Sequence, residues 1–141
     1  MKPEASLEIE IAPDLTALKP ASDRLADFLA ERGADPETLY TLETVLEELV
    51  TNTIKYGKID PGSGRIDLRV VAKDDRTDLV IEDDGHAFDP TAAPEPDLNR
   101  PLEEIPIGGL GLHLVRQLVG GMQYQRVGGR NRVRIWVGRH G

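Results

Sequence analysis

The chain is expected to fold as an α+β two-layer sandwich, a mixed and mostly antiparallel sheet carrying three helices on one face. Three observations lead there. Five short stretches alternate apolar and polar residues with the period of a half-buried strand, and three longer ones repeat apolar residues at helical spacing. Their order along the chain is strand, helix, helix, hairpin, loop, helix, hairpin. At 141 residues, with 39% hydrophobic and 30% charged content, the chain can close one core and is too short for two. Residues 1–141 are therefore read as a single domain.

Ser6 to Ile11 sets Leu7, Ile9 and Ile11 against Glu8 and Glu10, a strand whose acids face water. Leu15 to Arg32 spaces Leu18, Leu25, Phe28 and Leu29 as a helix does, with Pro20 delaying or kinking its first part and Gly33 ending it. Asp35 and Pro36 supply an N-cap and a first-turn proline for a helix that runs to Gly57. Lys58 to Gly64 is turn chemistry. Arg65 to Ala72 alternates again, with Ile66, Leu68 and Val70 on one face; Asp74 to Arg76 turns the hairpin and Thr77 to Glu82 is the partner strand. Residues 86–107 hold five prolines and little apolar periodicity, a loop long enough to read as a lid over about 86–108. Gly108 opens a helix to about Val119 with Leu112, Val115, Leu118 and Val119 packing inward, and Gly120-Gly121 stops it. Met122 to Val127 and Asn131 to Val137 form a last hairpin around Gly128-Gly129. Its second strand puts Val133, Ile135 and Val137 toward the core and Trp136 on the arginine side.

A net charge of −8 speaks against nonspecific nucleic-acid binding, which needs clustered cations. The distribution is uneven. All 25 acids lie within residues 1–104, whereas residues 105–141 carry six arginines, so an anionic small ligand is expected against the C-terminal third. Arg130, Arg132 and Arg134 are themselves read as the solvent face of one strand. The absence of cysteine excludes disulfides and thiolate metal sites. The start, Met1 to Ser6, has the character of no targeting segment, and no run approaches a membrane span, so a cytoplasmic location is expected.

Three stretches carry chemistry. On the helix Leu42 to Gly57, Leu39, Leu42, Leu46, Leu49 and Thr53 form a packing stripe, while Glu48, Asn52 and Lys55 stack at i, i+4 and i+7 on another flank. That flank lines up a carboxylate, a carboxamide and an ammonium. Asp83-Asp84-Gly85 ends a strand, where a carboxylate can accept from an exocyclic amine and a glycine lets a flat ring approach the backbone. Gly108 to Leu112 feeds a helix N-terminus, where backbone amides hold phosphate; no Gly-Lys-Ser or Gly-Lys-Thr makes it a P-loop, and Leu114 replaces the third glycine of a dinucleotide fingerprint. Singly, these also fit a solvated helix face, a turn and a capping loop. His86, His113 and His140 lie too far apart to suggest a metal site.

In this order the three stretches resemble the GHKL ATPase superfamily, which includes histidine-kinase catalytic domains, gyrase, mismatch-repair ATPases and a heat-shock chaperone. The resemblance covers about Leu7 to Val137. Compactness and Glu48, four residues before Asn52, make the chain similar to the anti-sigma factor serine/threonine kinases. The resemblance implies ATP and Mg2+ as cofactors, with Glu48 as the catalytic base and Asn52 placing its oxygen on the metal. It further implies Asp83 on the adenine amine, Gly85 and Ala87 on the ring, and Gly109, Leu110, Gly111 and Leu112 on the phosphates, with Lys55 assisting. A sigma factor and an anti-anti-sigma, STAS-like protein are the implied partners, in a homodimer, with no direct nucleic-acid or membrane contact. Two departures stand out. Ala87 replaces the second glycine of its box, and the lid carries Glu95, Asp97, Glu103 and Glu104 with Arg100 as its only cation. Kinases of this branch usually offer the γ-phosphate a cation there, so a non-catalytic ATP-binding module is the alternative expectation.

Overall fold

The computed structural model describes residues 4–57, 59–60, 62, 64–92, 99 and 109–138. The strands are β1 (Ala5–Ile11), β2 (Ile66–Ala72), β3 (Arg76–Asp83), β4 (Gly121–Val127) and β5 (Arg130–Gly138). They join one sheet in the order β1-β2-β3-β5-β4, and every pairing is antiparallel. Register keeps each apolar row on a single face: Leu68 opposes Ile81, Val70 opposes Leu79, and Ile81 opposes Val133. On that face Ile9, Ile11, Ile66, Leu68, Leu79, Ile81 and Ile135 are buried.

The helices α1 (Leu18–Glu31), α2 (Pro36–Tyr56) and α3 (Gly109–Leu118) provide the second layer. Helix α1 begins at Leu18, after a 3-10 turn at Leu15–Ala17, so Pro20 falls in its first turn, where a missing N–H is no loss. The α-helix accordingly starts at Leu18, three residues later than the spacing suggested. At the other end Gly33 takes φ 76°, and Ala34 N–H bonds back to the Leu29 carbonyl at 3.0 Å, the arrangement that satisfies the last carbonyls. Asp35 caps α2 by accepting from Thr38 N–H at 2.8 Å, with Pro36 in the first turn. Leu25 and Leu29 of α1, Leu42, Val45, Leu46 and Val50 of α2, and Val115 of α3 are at most 1% exposed. Each such side chain is worth roughly 1.5–3 kcal/mol of burial, which fixes the helices on the sheet.

The opposite sheet face is open and charged. Arg130 reaches Asp84 at 2.6 Å and Asp67 at 2.9 Å, Arg132 reaches Glu82 at 3.3 Å, and Arg134 reaches Asp78 at 2.9 Å. Asp78 is buried beneath Lys73, Arg76 and Arg134, and the two arginines also flank the Trp136 ring at 5.5 and 5.6 Å. Burial pushes the Asp78 carboxyl up, but hydrogen bonds from Arg134 and Lys73 and the nearby charges outweigh it and hold the group below its ordinary range. The three strand arginines thus answer acids on neighbouring strands, which is why the acidic and basic segments of this chain lie side by side.

Candidate functional site

The site is built around the C-terminal half of α2. Glu48 is half-buried and faces the first turn of α3; a Cβ placed on Gly111 would lie 1.9 Å from Glu48 Oε2 and 2.6 Å from its Cδ. Only glycine lets the backbone of α3 come this close to the carboxylate. One turn further along α2, Asn52 is 8% exposed and lines a cleft with Thr53, Gly57, Ile81 and Asp83. Its side-chain nitrogen finds no hydrogen-bond partner among the described residues. A half turn of the carboxamide exchanges nitrogen for oxygen at that point, so the cleft can be offered a neutral oxygen ligand.

The end of β3 forms the far wall. Asp83 is 5% exposed, and its Oδ1 accepts from Gly85 N–H at 2.8 Å and from Asn131 Nδ2 at 2.9 Å. The turn beyond it is tied to α2, because His86 N–H donates to the Gly57 carbonyl at 2.8 Å. Gly85 is required here: a Cβ would lie 2.6 Å from that same carbonyl oxygen. Phe88 and Pro90 roof the cleft, leaving a cavity of about 20 Å³, room for a single water and far short of the ~300 Å³ of a ligand pocket. A larger cleft of about 310 Å³ opens at the opposite end of the sheet beside Leu29, Thr38, Lys73 and Val137, and it gathers none of the three stretches.

Glu48, Asn52, Asp83, Gly85 and Gly111 are therefore brought together from α2, the end of β3 and α3. Gly109 and Leu110 are the first two residues of α3, and Leu112 turns its side chain into the core at 5% exposure. Lys55 and Ala87 are exposed and do not line the cleft. Gly108, the greater part of the expected lid with Arg100 and its four acids, and His140 fall outside the described residues.

Asn131 is the site residue that sequence reasoning missed. It is 3% exposed and donates to Asp83 Oδ1 and to the His86 carbonyl at 2.8 Å. Its oxygen accepts from Tyr124 Oη at 2.6 Å, Arg126 Nη1 at 3.1 Å and Phe88 N–H at 3.3 Å. Arg126 also donates to the Gly85 carbonyl at 2.9 Å. The available signal was its phase: Asn131 shares the inward register with Val133, Ile135 and Val137, and a polar residue in an apolar row has to be satisfied by something.

The arrangement suits a nucleotide with its metal. A carboxylate acceptor beside a glycine turn matches an amino-purine edge, and a helix N-terminus at the other end matches phosphate. No three of His, Cys, Asp and Glu converge among the described residues, so a cation beside Asn52 would have few protein ligands. That fits a hard cation coordinated mainly by phosphate oxygens and water. The family model for the histidine kinase-like ATPase domain matches residues 11–137.

The chain belongs to this family. Among similar proteins, the serine/threonine-protein kinase BtrW of Bordetella bronchiseptica is 31% identical over 96 residues, 68% of each chain. The serine-protein kinase RsbW of Listeria monocytogenes is 24% identical over 123 residues, 84% of this ATPase domain and 77% of the relative. The crystal structure of the RsbU and RsbW domains of a Mycobacterium tuberculosis protein matches with a TM-score of 0.68 at 19% identity. It covers 94% of this chain and 31% of that longer one, a likeness of fold. The expected superfamily and the α+β sandwich are thereby established, and the similar proteins carry the names of serine and serine/threonine kinases.

Proposed function

We propose that this ATPase domain is a Mg-ATP-dependent serine/threonine protein kinase that phosphorylates a serine of an anti-anti-sigma, STAS-like partner and sequesters a sigma factor as a homodimer in the cytoplasm. The observation that carries this reading is the contact between Glu48 and the backbone at Gly111: a carboxylate held at the mouth of a helix N-terminus, one turn from Asn52. The relatives' names, serine and serine/threonine kinases, support it. Among the described residues no helix is long and apolar enough to cross a membrane.

In this reading Glu48 takes the proton of the attacking serine hydroxyl as the new O–P bond forms and the bond to the departing diphosphate breaks. Asn52 offers its oxygen to the metal, Asp83 accepts from the base amine, and the amides opening α3 hold the phosphates. Bound Mg2+ supplies charge neutralisation on the phosphates. Side chains on α2 do the chemistry, while β3 and β5 set the base.

The test is transfer from γ-labelled ATP to a cognate STAS-domain protein. Glu48→Ala should lower transfer by about 10²–10⁴-fold while ATP affinity changes little. Asn52→Ala should lose the magnesium-dependent part of binding. Tight ATP binding by the wild type with no labelled serine on any cognate partner would remove the kinase reading and leave the regulatory ATP-binding module.

A further inference from the structure

The seam between helices and sheet is polar at both ends. Along the inward stripe of α2, Thr38 and Asn52 bracket Leu42, Val45 and Leu49; along the inward row of β3, Thr77 and Asp83 bracket Leu79 and Ile81. Asn52 and Asp83 share the cleft described above. Thr38 and Thr77, both half-buried, share the other one, the cleft of about 310 Å³ at the far end of the sheet. That volume reaches the ~300 Å³ at which small-molecule pockets begin, and the two clefts have no lining residue in common. A hydroxyl closing an apolar row needs a polar partner, and here it is turned toward a space that can supply one.

The far cleft has an apolar floor and a cationic rim. Leu29 of α1 and Val137, which stands opposite Thr77 on β5, supply the floor. Lys73 and Arg76 close the β2–β3 turn on the rim, Lys73 N–H donating to the Arg76 carbonyl at 2.9 Å. Their side chains reach Asp78 at 3.2 and 3.0 Å, and Arg134 reaches the same carboxylate at 2.9 Å, so one buried acid answers three cations. Of the other charged residues on the rim, Asp35 accepts from Thr38 N–H as the cap of α2, and Arg32 and Asp74 each have a partner. We propose that this cleft is a second ligand site, for a small organic anion. Lys73 and Arg76 take the head group, the hydroxyls of Thr38 and Thr77 hydrogen-bond to it, and Leu29 and Val137 pack against a short apolar body. Carboxylate and phosphate heads share this chemistry. The site stands apart from the nucleotide reading and does not depend on it.

The experiment titrates the full chain with hexanoate, hexyl phosphate, inorganic phosphate and hexylamine, followed by calorimetry and by amide shifts in NMR spectra. Hexanoate or hexyl phosphate should bind with a dissociation constant of about 1 mM or tighter, shifting Thr38, Lys73, Arg76, Thr77 and Val137; whichever binds more tightly identifies the head group. Inorganic phosphate lacks the body and hexylamine reverses the charge, so each should bind at least about tenfold more weakly. Lys73→Gln should weaken the better anion about tenfold and Lys73→Arg should restore it, as expected for one charge-assisted contact. Ala34→Phe places a ring in the cleft, whose wall includes Ala34, and should abolish binding; Lys73→Gln carries the test if that variant does not fold. The proposal is overturned by any of four results: no saturable binding of either anion below about 10 mM, hexylamine binding as tightly as hexanoate, shifts confined to the Asn52–Asp83 cleft, or Lys73→Gln binding as wild type does.

Discussion

Replacing Gly111 with alanine should separate activity from stability. The new methyl would lie 1.9 Å from Glu48 Oε2 and 2.6 Å from Cδ, and the obstructing group is the tip of a flexible side chain. Glu48 therefore gives way. Restoring ordinary contact moves the carboxylate by about 1.5 Å, at a rotamer cost of about 1 kcal/mol. Exchanging glycine for alanine within a helix returns about 1 kcal/mol, so the two effects nearly cancel and the melting temperature should stay within about 4 °C of wild type. Catalysis has no such compensation. A base displaced by about 1 Å loses roughly 100-fold in rate, so single-turnover transfer to the STAS partner should fall by about that factor. Thermal melts by circular dichroism and quenched-flow labelling read the two quantities separately. Adding Glu48→Ala to Gly111→Ala should slow transfer no further than Glu48→Ala alone, since both remove the same group. A well-folded Gly111→Ala protein with transfer within about threefold of wild type refutes the role given to Glu48.

Gly85→Ala should behave differently, because its Cβ would meet the Gly57 backbone oxygen at 2.6 Å and backbone cannot step aside; we expect a loss of about 1–3 kcal/mol in denaturant melts together with weakened ATP binding in calorimetry. Asn131→Ala strips Asp83 and the His86 carbonyl of their buried donor, and ATP affinity should fall about tenfold, unlike the nearly silent effect of Glu48→Ala on binding. Asp78→Asn should destabilise the fold by about 2 kcal/mol at pH 7, below the range for a fully buried pair since Lys73, Arg76 and Arg134 are each about one-third exposed. The sign with pH follows from the lowered carboxyl: its stabilisation is complete above pH ~4 and drains away as pH falls through the folded value, so wild type and variant should converge in acid. Parallel urea melts at pH 7 and pH 3 measure this; a gap that widens in acid contradicts it.

Much of the site was legible in the chain because helical and strand periods are local. Glu48 and Asn52 had to share a flank of α2, since four residues make about one turn, and Asp83 had to stand at a strand end once the alternation before it was recognised. The Gly128-Gly129 turn was equally legible, and both residues take positive φ, 58° and 77°. Lys55 shows where that reasoning stops. Spacing sets it near Asn52, but it lies in the last turn of α2 and stays exposed while Asn52 enters the cleft.

What the sequence by itself determined was the set of elements and the chemistry of each patch, because those depend on residues within a turn or a strand of one another. Only the tertiary structure decided that Gly111 presses on Glu48, that Asn131 seizes Asp83 across 48 positions of chain, and that Phe88 and Pro90 close the cleft under an arginine of α3. Such meetings arise from the order in which strands join the sheet and the depth at which helices pack on it, quantities to which every residue of the core contributes and no single segment encodes.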